Sequence, residues 1–317
     1  MKQLPDLSPT SGLQQLADVL DEALHLLEGQ SPRSDQHAVA AAITPSLFEQ
    51  CIELCRQGRR EVEPIRTIHH LSCSGGTLIT KCLAAMPNVM VLNEVDPLST
   101  MQFNPEKPMF SPTDMLALVR QGNHQVSEEL LIQLFVQNLG MLLKELASTG
   151  KRLLLRDHSH SHFLVGSEVG QRASVLSMVD ERFPTRSIVT VRNPLDSFLS
   201  LESLGMKTFQ PFTFDEYCKR YMHFLDAHEG LQIFKYETFV YEPAKTMEHM
   251  CAALQLSYSA NFTETFDVFR FSGDSGRSGI TIEPRPRRSC DEAILVAART
   301  SAFYRLLVNR VGYEAIC

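Results

Sequence analysis

Two stretches of this chain each read as a short apolar strand running into a turn that opens a helix. They narrow the folds open to it more than any other feature. In the first, residues 67–71 lead into Ser72-Cys73-Ser74-Gly75-Gly76-Thr77-Leu78. In the second, residues 188–191 lead into Arg192-Asn193-Pro194 and a helix that carries Ser200. Between and beyond them the same alternation recurs. Apolar strands are expected at residues 89–92, 152–156 and 231–235, and helices at 77–86, 128–147, 173–182, 242–254 and 291–311. Strands that alternate with helices specify βαβ units. The expected fold is therefore α/β, a mostly parallel central sheet with helices on both faces. In such a sheet the chemistry gathers at the carboxyl ends of the strands. The segments holding Ser74, Glu94, His158 and Arg192 all fall at such ends.

Ahead of the first strand, Leu13, Leu16, Leu20, Leu24 and Leu27 recur at helical spacing, and a second helical stretch spans residues 37–59. The expected organisation is an N-terminal helical extension over residues 1–63, followed by one α/β domain over 64–317.

The two strand–turn–helix segments supply different phosphate chemistry. The Ser/Gly turn lets successive backbone N–H groups converge at a helix N-terminus, and Ser74 and Thr77 add hydroxyls. It is not a Walker A loop, because Gly76, not lysine, precedes Thr77. In the second segment Arg192 ends the strand, and Ser200 lies eight residues on in the next helix. An arginine and a hydroxyl so placed can hold one phosphate. The alternative for Arg192 is a structural pair with Asp196.

With these residues in view, the chain resembles the PAPS-dependent sulfotransferases, enzymes of a P-loop-like fold. Residues 72–77 resemble that family's 5′-phosphosulfate loop. Residues 191–200 resemble its 3′-phosphate motif, including the Arg-to-Ser spacing. Tyr236-Glu237-Thr238-Phe239 with Glu242-Pro243 is similar to the element that follows in many members. Phe271-Ser272-Gly273-Asp274-Ser275-Gly276-Arg277-Ser278-Gly279 resembles the Gly-rich basic segment that closes over the cofactor. The resemblance runs in order from Arg66 to Arg288. It implies transfer of a sulfuryl group from 3′-phosphoadenosine 5′-phosphosulfate (PAPS, leaving PAP) to a hydroxyl or amine, on a small-molecule, glycan or peptide acceptor. On this basis Ser72, Cys73, Ser74, Gly75, Gly76, Thr77 and Leu78 bind the 5′ end. Arg192 and Ser200 bind the 3′-phosphate, and Arg277, Ser278 and Gly279 assist. The base is His158, where small-molecule members carry a histidine, or Glu94, where tyrosylprotein-type members carry a glutamate. One position departs from the pattern: Cys73 stands where many members place Lys or Arg. Arg156, Lys81 and Arg277 are candidates to supply the missing cation, Arg156 first. Two rivals follow, a PAP- or PAPS-binding protein that has lost catalysis and a P-loop kinase.

The remaining residues restrict the setting. A formal net charge of −7 argues against bulk nucleic-acid binding, while Arg285, Arg287 and Arg288 form a local basic cluster beside the Gly-rich segment. Eight cysteines without a CxxC pair suit reduced thiols, and no secretion signal or membrane span is visible, so a cytoplasmic protein is expected. His158, His160 and His162 alternate after Asp157. On a strand they would share a face and suit zinc or iron, yet no cysteine or further histidine motif joins them, and no metal is expected. The acceptor pocket is expected to come from helices and loops over residues 95–127 and 202–228. Oligomeric state is not readable.

Overall fold

In the computed structural model, residues 62–101, 111–272 and 281–316 are described. The expected helices of residues 1–61 and the segment 273–280, with Arg277, Ser278 and Gly279, lie outside them. Five strands form one parallel sheet: β1 Ile65–His69, β2 Val89–Val95, β3 Arg152–Asp157, β4 Thr185–Val191 and β5 Gln232–Lys235, in the order β2-β3-β1-β4-β5. The expected α/β class, with a central parallel sheet covered on both faces, is the one found.

Alternation along the strands decides which helices cover which face. Ile68, Leu154 and Ile188 point to one side, where they pack with α1 (Gly76–Ala84) and α9 (Pro243–Leu254). Ile65, Leu153 and Leu155 point to the other, under α3 (Glu128–Ser148) and α5 (Val175–Asp180). Further along that second side, Val189 and Val191 pack with α6 (Pro194–Ser203), α7 (Phe214–Ala227) and α12 (Ala302–Val311). Short α2 (Met115–Arg120), α4 (His160–Phe163), α8 (Tyr236–Tyr241), α10 (Phe262–Thr265) and α11 (Glu292–Thr300), with a 3-10 turn at Phe266–Val268, complete the described elements.

Local chemistry sets the helix ends. Ser127 caps α3 by accepting from Leu130 N–H, with Glu128 and Glu129 in the first turn favouring the positive end of the dipole. Asn193 caps α6, and Pro194 sits at its first position, where a missing N–H costs nothing. Helix α3 is long and apolar enough, by length and composition, to cross a membrane. Its buried stripe of Leu131, Phe135, Leu139, Leu143 and Leu146 nevertheless packs as a core face.

One expectation changes. The C-terminal helix, read as continuous, is broken at Ser301, whose backbone is extended (φ −66°, ψ 121°) and whose hydroxyl bonds Asp215 while capping Tyr304. Residues 214–227, within a stretch expected to supply acceptor helices and loops, form α7, whose Phe214, Tyr217, Cys218, Tyr221, Phe224 and Leu225 are buried core. Arg220 on the same helix is fully buried. Glu216 and the carbonyls of Phe163, Val165 and Gly166 compensate its charge.

Candidate functional site

β1 and β4 are neighbours, so the two turns that follow them meet at the carboxyl edge of the sheet. The first turn is tight. Cys73 (φ 65°) and Gly75 (φ 85°) both adopt the left-handed conformation, and the Ser74 hydroxyl donates to Leu71 O at 2.7 Å. Ser74 is fully buried, so its hydroxyl braces the turn from within. A Cβ on Gly75 would lie 2.2 Å from the Tyr236 ring, and one on Gly76 would lie 2.0 Å from His70 Nε2. Both glycines are thus required by aromatic side chains that clamp the loop.

The second turn reaches the first through Arg192. Its Nη1 donates to Cys73 O at 3.0 Å and lies 3.4 Å from Ser200 Oγ. The guanidinium also stands 5.2 Å from the centre of the Tyr236 ring. Asp196 does not pair with Arg192; its partner is Arg287, at 2.6 Å. The basic cluster therefore divides: Arg287 is tied to α6, Arg288 is exposed, and Arg285 lines the cavity described next.

A cavity of about 760 Å³ opens over both turns. Its walls include Ser72, Cys73, Gly75, Gly76, Thr77 and Leu78 from the loop, Arg192 and Ser200 from the second turn, and Glu94, Arg156 and His158 from the ends of β2 and β3. Ser74, shut inside the turn, is not part of that wall. Leu204, Met206 and Met101 add an apolar portion from the regions expected to supply acceptor contacts. Among the described residues, four cationic side chains line this space, Lys81, Arg156, Arg192 and Arg285.

Arg156 has the most defined place. It is 6% exposed, and each nitrogen has an acceptor: Nε donates to His70 Nε2 (3.0 Å), Nη1 to Asn93 Oδ1 (2.8 Å) and Ser272 O (3.2 Å), and Nη2 to Thr77 Oγ1 (3.0 Å). His70 must be neutral at Nε2 to accept that bond. Burial, reinforced by the positive charge of Arg156, holds its pKa well below the ordinary imidazole value. Arg156 thus brings a positive charge against the loop that Cys73 does not supply.

Glu94 sits at a bulge where β2 loses register with β3 between Leu92 and Val95, and its φ of 55° is left-handed. Such a bulge re-aims a side chain. The Glu94 carboxylate accepts from Ser272 Oγ at 2.7 Å and lies 3.7 Å from Arg156 Nη2. His158 follows β3, with its ring edge-on to His160 at 3.9 Å. Burial lowers the His158 pKa, opposed by Glu94, Asp96 and Asp157, and burial takes His160 down to about 3. The three alternating histidines do not converge. The chain turns helical at His160, and His162 stacks on Phe163 while bonding Gly170 O at 2.9 Å.

No protein-family model and no curated protein matches the chain. Solved sulfotransferase structures align with it. A sulfotransferase domain from the curacin biosynthetic pathway is 16% identical, over 81% of this chain and 100% of that one, with a TM-score of 0.48. A mouse sulfotransferase complexed with PAP is 12% identical, over 78% and 89%, with a TM-score of 0.38. Sulfotransferase STF1 from Mycobacterium tuberculosis is 14% identical, over 68% and 73%, also with a TM-score of 0.38.

Of the residues singled out in sequence, the structure gathers the loop, Lys81, Glu94, Arg156, His158, Arg192, Ser200 and Arg285 around one space. It adds His70 and Asn93, which sequence reasoning missed, and places Tyr236, noted in sequence only as part of a motif, against the loop. His70 carried one legible signal, a polar residue placed between an apolar strand and a glycine turn.

Proposed function

We propose that this protein is a PAPS-dependent sulfotransferase, with PAP as product. The observation that carries the reading is the cationic cavity in which Arg192, itself bonded to the Ser/Gly loop, joins the two turns. The residues present suit a doubly phosphorylated nucleotide: a volume of about 760 Å³ is within the usual cofactor range, and the donors are arginines, a lysine, hydroxyls and loop N–H groups. When bound, PAPS supplies the sulfuryl group and a bisphosphate leaving group. In this proposal the loop N–H groups and Thr77 hold the 5′ end. Arg192 and Ser200 hold the 3′-phosphate, assisted by Arg277, Ser278 and Gly279. Arg156 stabilises charge that develops at the leaving oxygen, the task the missing cation at Cys73 would perform. His158, kept neutral by burial, takes the proton from the acceptor. Glu94 is the rival for that role. Leu204, Met206 and Met101 border the acceptor, a small molecule, glycan or peptide. A cytoplasmic setting with reduced thiols accompanies this reading.

A second reading, a nucleotide-binding protein without turnover, is favoured by Cys73 and by the saturation of Arg156 with protein acceptors. Calorimetry with PAP and with ATP, beside transfer of radiolabelled sulfate from PAPS to a panel of phenols, amines and glycans, separates the readings. Tight PAP binding with transfer supports the enzyme. Binding without transfer favours the second reading, and equal affinity for ATP and PAP would overturn both.

A further inference from the structure

Behind the cavity, three buried side chains from three elements converge. His69 closes β1 and Asp157 closes the adjacent β3, so both emerge side by side from the sheet edge. His228 follows the last residue of α7. Their ligand atoms, His69 Nδ1, Asp157 Oδ2 and His228 Nε2, lie within 4.8 Å of one another.

Each of the three is oriented by an outer partner. Thr67 Oγ1 is 2.7 Å from His69 Nε2, Ser159 Oγ donates to Asp157 Oδ2 at 2.7 Å, and Phe224 O is 2.7 Å from His228 Nδ1. Such partners are what fix metal-binding imidazoles and carboxylates in place. The Phe224 carbonyl can only accept, so His228 Nδ1 carries a proton, and in the neutral ring Nε2 presents its lone pair. That Nε2 is buried, has no hydrogen-bond partner among the described residues, and faces Asp157 Oδ2 at 3.9 Å. A buried acceptor with no donor, beside a buried carboxylate, is costly unless something positive lies near both.

We propose that His69, Asp157 and His228 form a binding site for a divalent cation of the zinc type. Two imidazoles and one carboxylate suit zinc and its neighbours in the first transition series, not magnesium or calcium, which take oxygen ligands. Around a tetrahedral zinc with bonds of ~2.0–2.1 Å, two ligand atoms stand about 3.3 Å apart. The observed separations from Asp157 Oδ2, 2.8 Å to His69 and 3.9 Å to His228, bracket that value. Small shifts of opposite sign would admit the ion, displacing the proton between His69 and Asp157. Asp157 also borders the large cavity, which provides a path inward and a side for a water ligand. The site is separate from the phosphate-binding residues and does not depend on the sulfotransferase reading.

The test uses the full chain, stripped with a chelator, dialysed and titrated with zinc chloride alone by calorimetry. Metal content is then measured by mass spectrometry after gel filtration. One zinc per chain and a raised Tm are expected. His228→Gln and Asp157→Asn should weaken binding by more than the roughly 10–100-fold that loss of an outer partner costs. His162→Ala, which removes an imidazole from the neighbouring helix, should leave binding unchanged. No stoichiometric zinc in the unaltered protein overturns the proposal and leaves the triad a hydrogen-bonded network. Zinc retained at full strength in His228→Gln also overturns it. If the variants do not fold, the visible absorption of the cobalt-loaded unaltered protein decides: absence of the bands of a low-coordinate nitrogen–oxygen site is fatal.

Discussion

Gly76→Ala places one methyl group into the most crowded contact of the site. The new Cβ would lie 2.0, 2.1 and 2.2 Å from three atoms of the His70 ring, far inside contact distance. The ring cannot swing away cheaply, because it is only 5% exposed and its Nε2 holds Arg156 Nε at 3.0 Å. Overpacking of this kind costs about 1–3 kcal/mol. Displacing His70 also loosens a hydrogen bond to a charged group, itself worth roughly 1.5–3 kcal/mol. The better helix propensity of alanine returns at most ~1 kcal/mol, and less at the first position of α1. A net loss of about 2–3 kcal/mol is expected, and a domain of this size loses ~2–4 °C of Tm per kcal/mol. Urea unfolding and differential scanning calorimetry measure it. The decisive comparison is a double-mutant cycle with His70→Ala, whose truncation leaves room for the added methyl. In that background Gly76→Ala should be neutral or slightly stabilising, giving a coupling of about 2–3 kcal/mol. A Gly76→Ala protein that unfolds at the unaltered midpoint, or one equally harmed in both backgrounds, refutes the account of the loop.

Arg192→Ala removes the side chain that joins the two turns and should weaken PAP binding roughly 10–100-fold, the scale of a charge-assisted contact, with a smaller loss for Ser200→Ala. Equal affinity in calorimetry would remove Arg192 from the nucleotide site. Arg156→Ala should nearly abolish sulfate transfer while PAP affinity changes only a few-fold, and unchanged turnover rules out its role as the substitute cation. Because burial keeps His158 neutral, a base there works at and below neutral pH, so kcat should fall only on the acid side of the ordinary imidazole value. His158→Gln should abolish turnover and Glu94→Gln should leave that acid limb, whereas the reverse assigns the base to Glu94. Burial takes His160 to about 3, so the unfolded chain binds a proton that the folded one refuses between about 6.5 and 3. Stability should fall with acidification across that window, by about 2 kcal/mol at pH 5, and His160→Gln should flatten the pH dependence of the urea midpoint.

The strands and most helices were legible because their apolar periodicity is strong and their ends are marked. Ser127, Asn193-Pro194 and Pro243 each open the helix that the structure shows. Helix α7 was legible too, because Phe214, Tyr217, Cys218, Tyr221, Phe224 and Leu225 repeat at helical spacing. The break at Ser301 was less accessible, since it depends on Asp215 from another helix. The same holds for His70 and His69. Nothing in the order of residues says that one imidazole will press on Gly76 and support Arg156 from the next strand, or that the other will face Asp157 and, beyond it, His228. Such roles arise only when neighbouring strands bring their ends together.

That dependence accounts for how a loop with Cys73 can keep its electrostatics. Cys73 holds a left-handed conformation, and its carbonyl is bound by Arg192, so this position contributes shape and an acceptor. The positive charge arrives instead from β3. A guanidinium only 6% exposed is costly to bury unless its donors are met, and His70, Asn93, Ser272 and Thr77 meet them. Glu94, 3.7 Å away at the β2 bulge, lowers the cost further. A cation so held reorganises little when charge appears beside it, which is the condition under which fixed charges are most effective in catalysis. The same engagement limits it: with four of its five N–H donors held by these groups, most new bonds to an anion must replace one to the protein. Arg156 is therefore better suited to charge that develops late, at a leaving oxygen, than to capturing a phosphate that is already ionised. In the proposed reaction that division leaves initial binding to Arg192 and the loop N–H groups, and it makes the separation of affinity from turnover in Arg156→Ala the sharpest consequence of the arrangement.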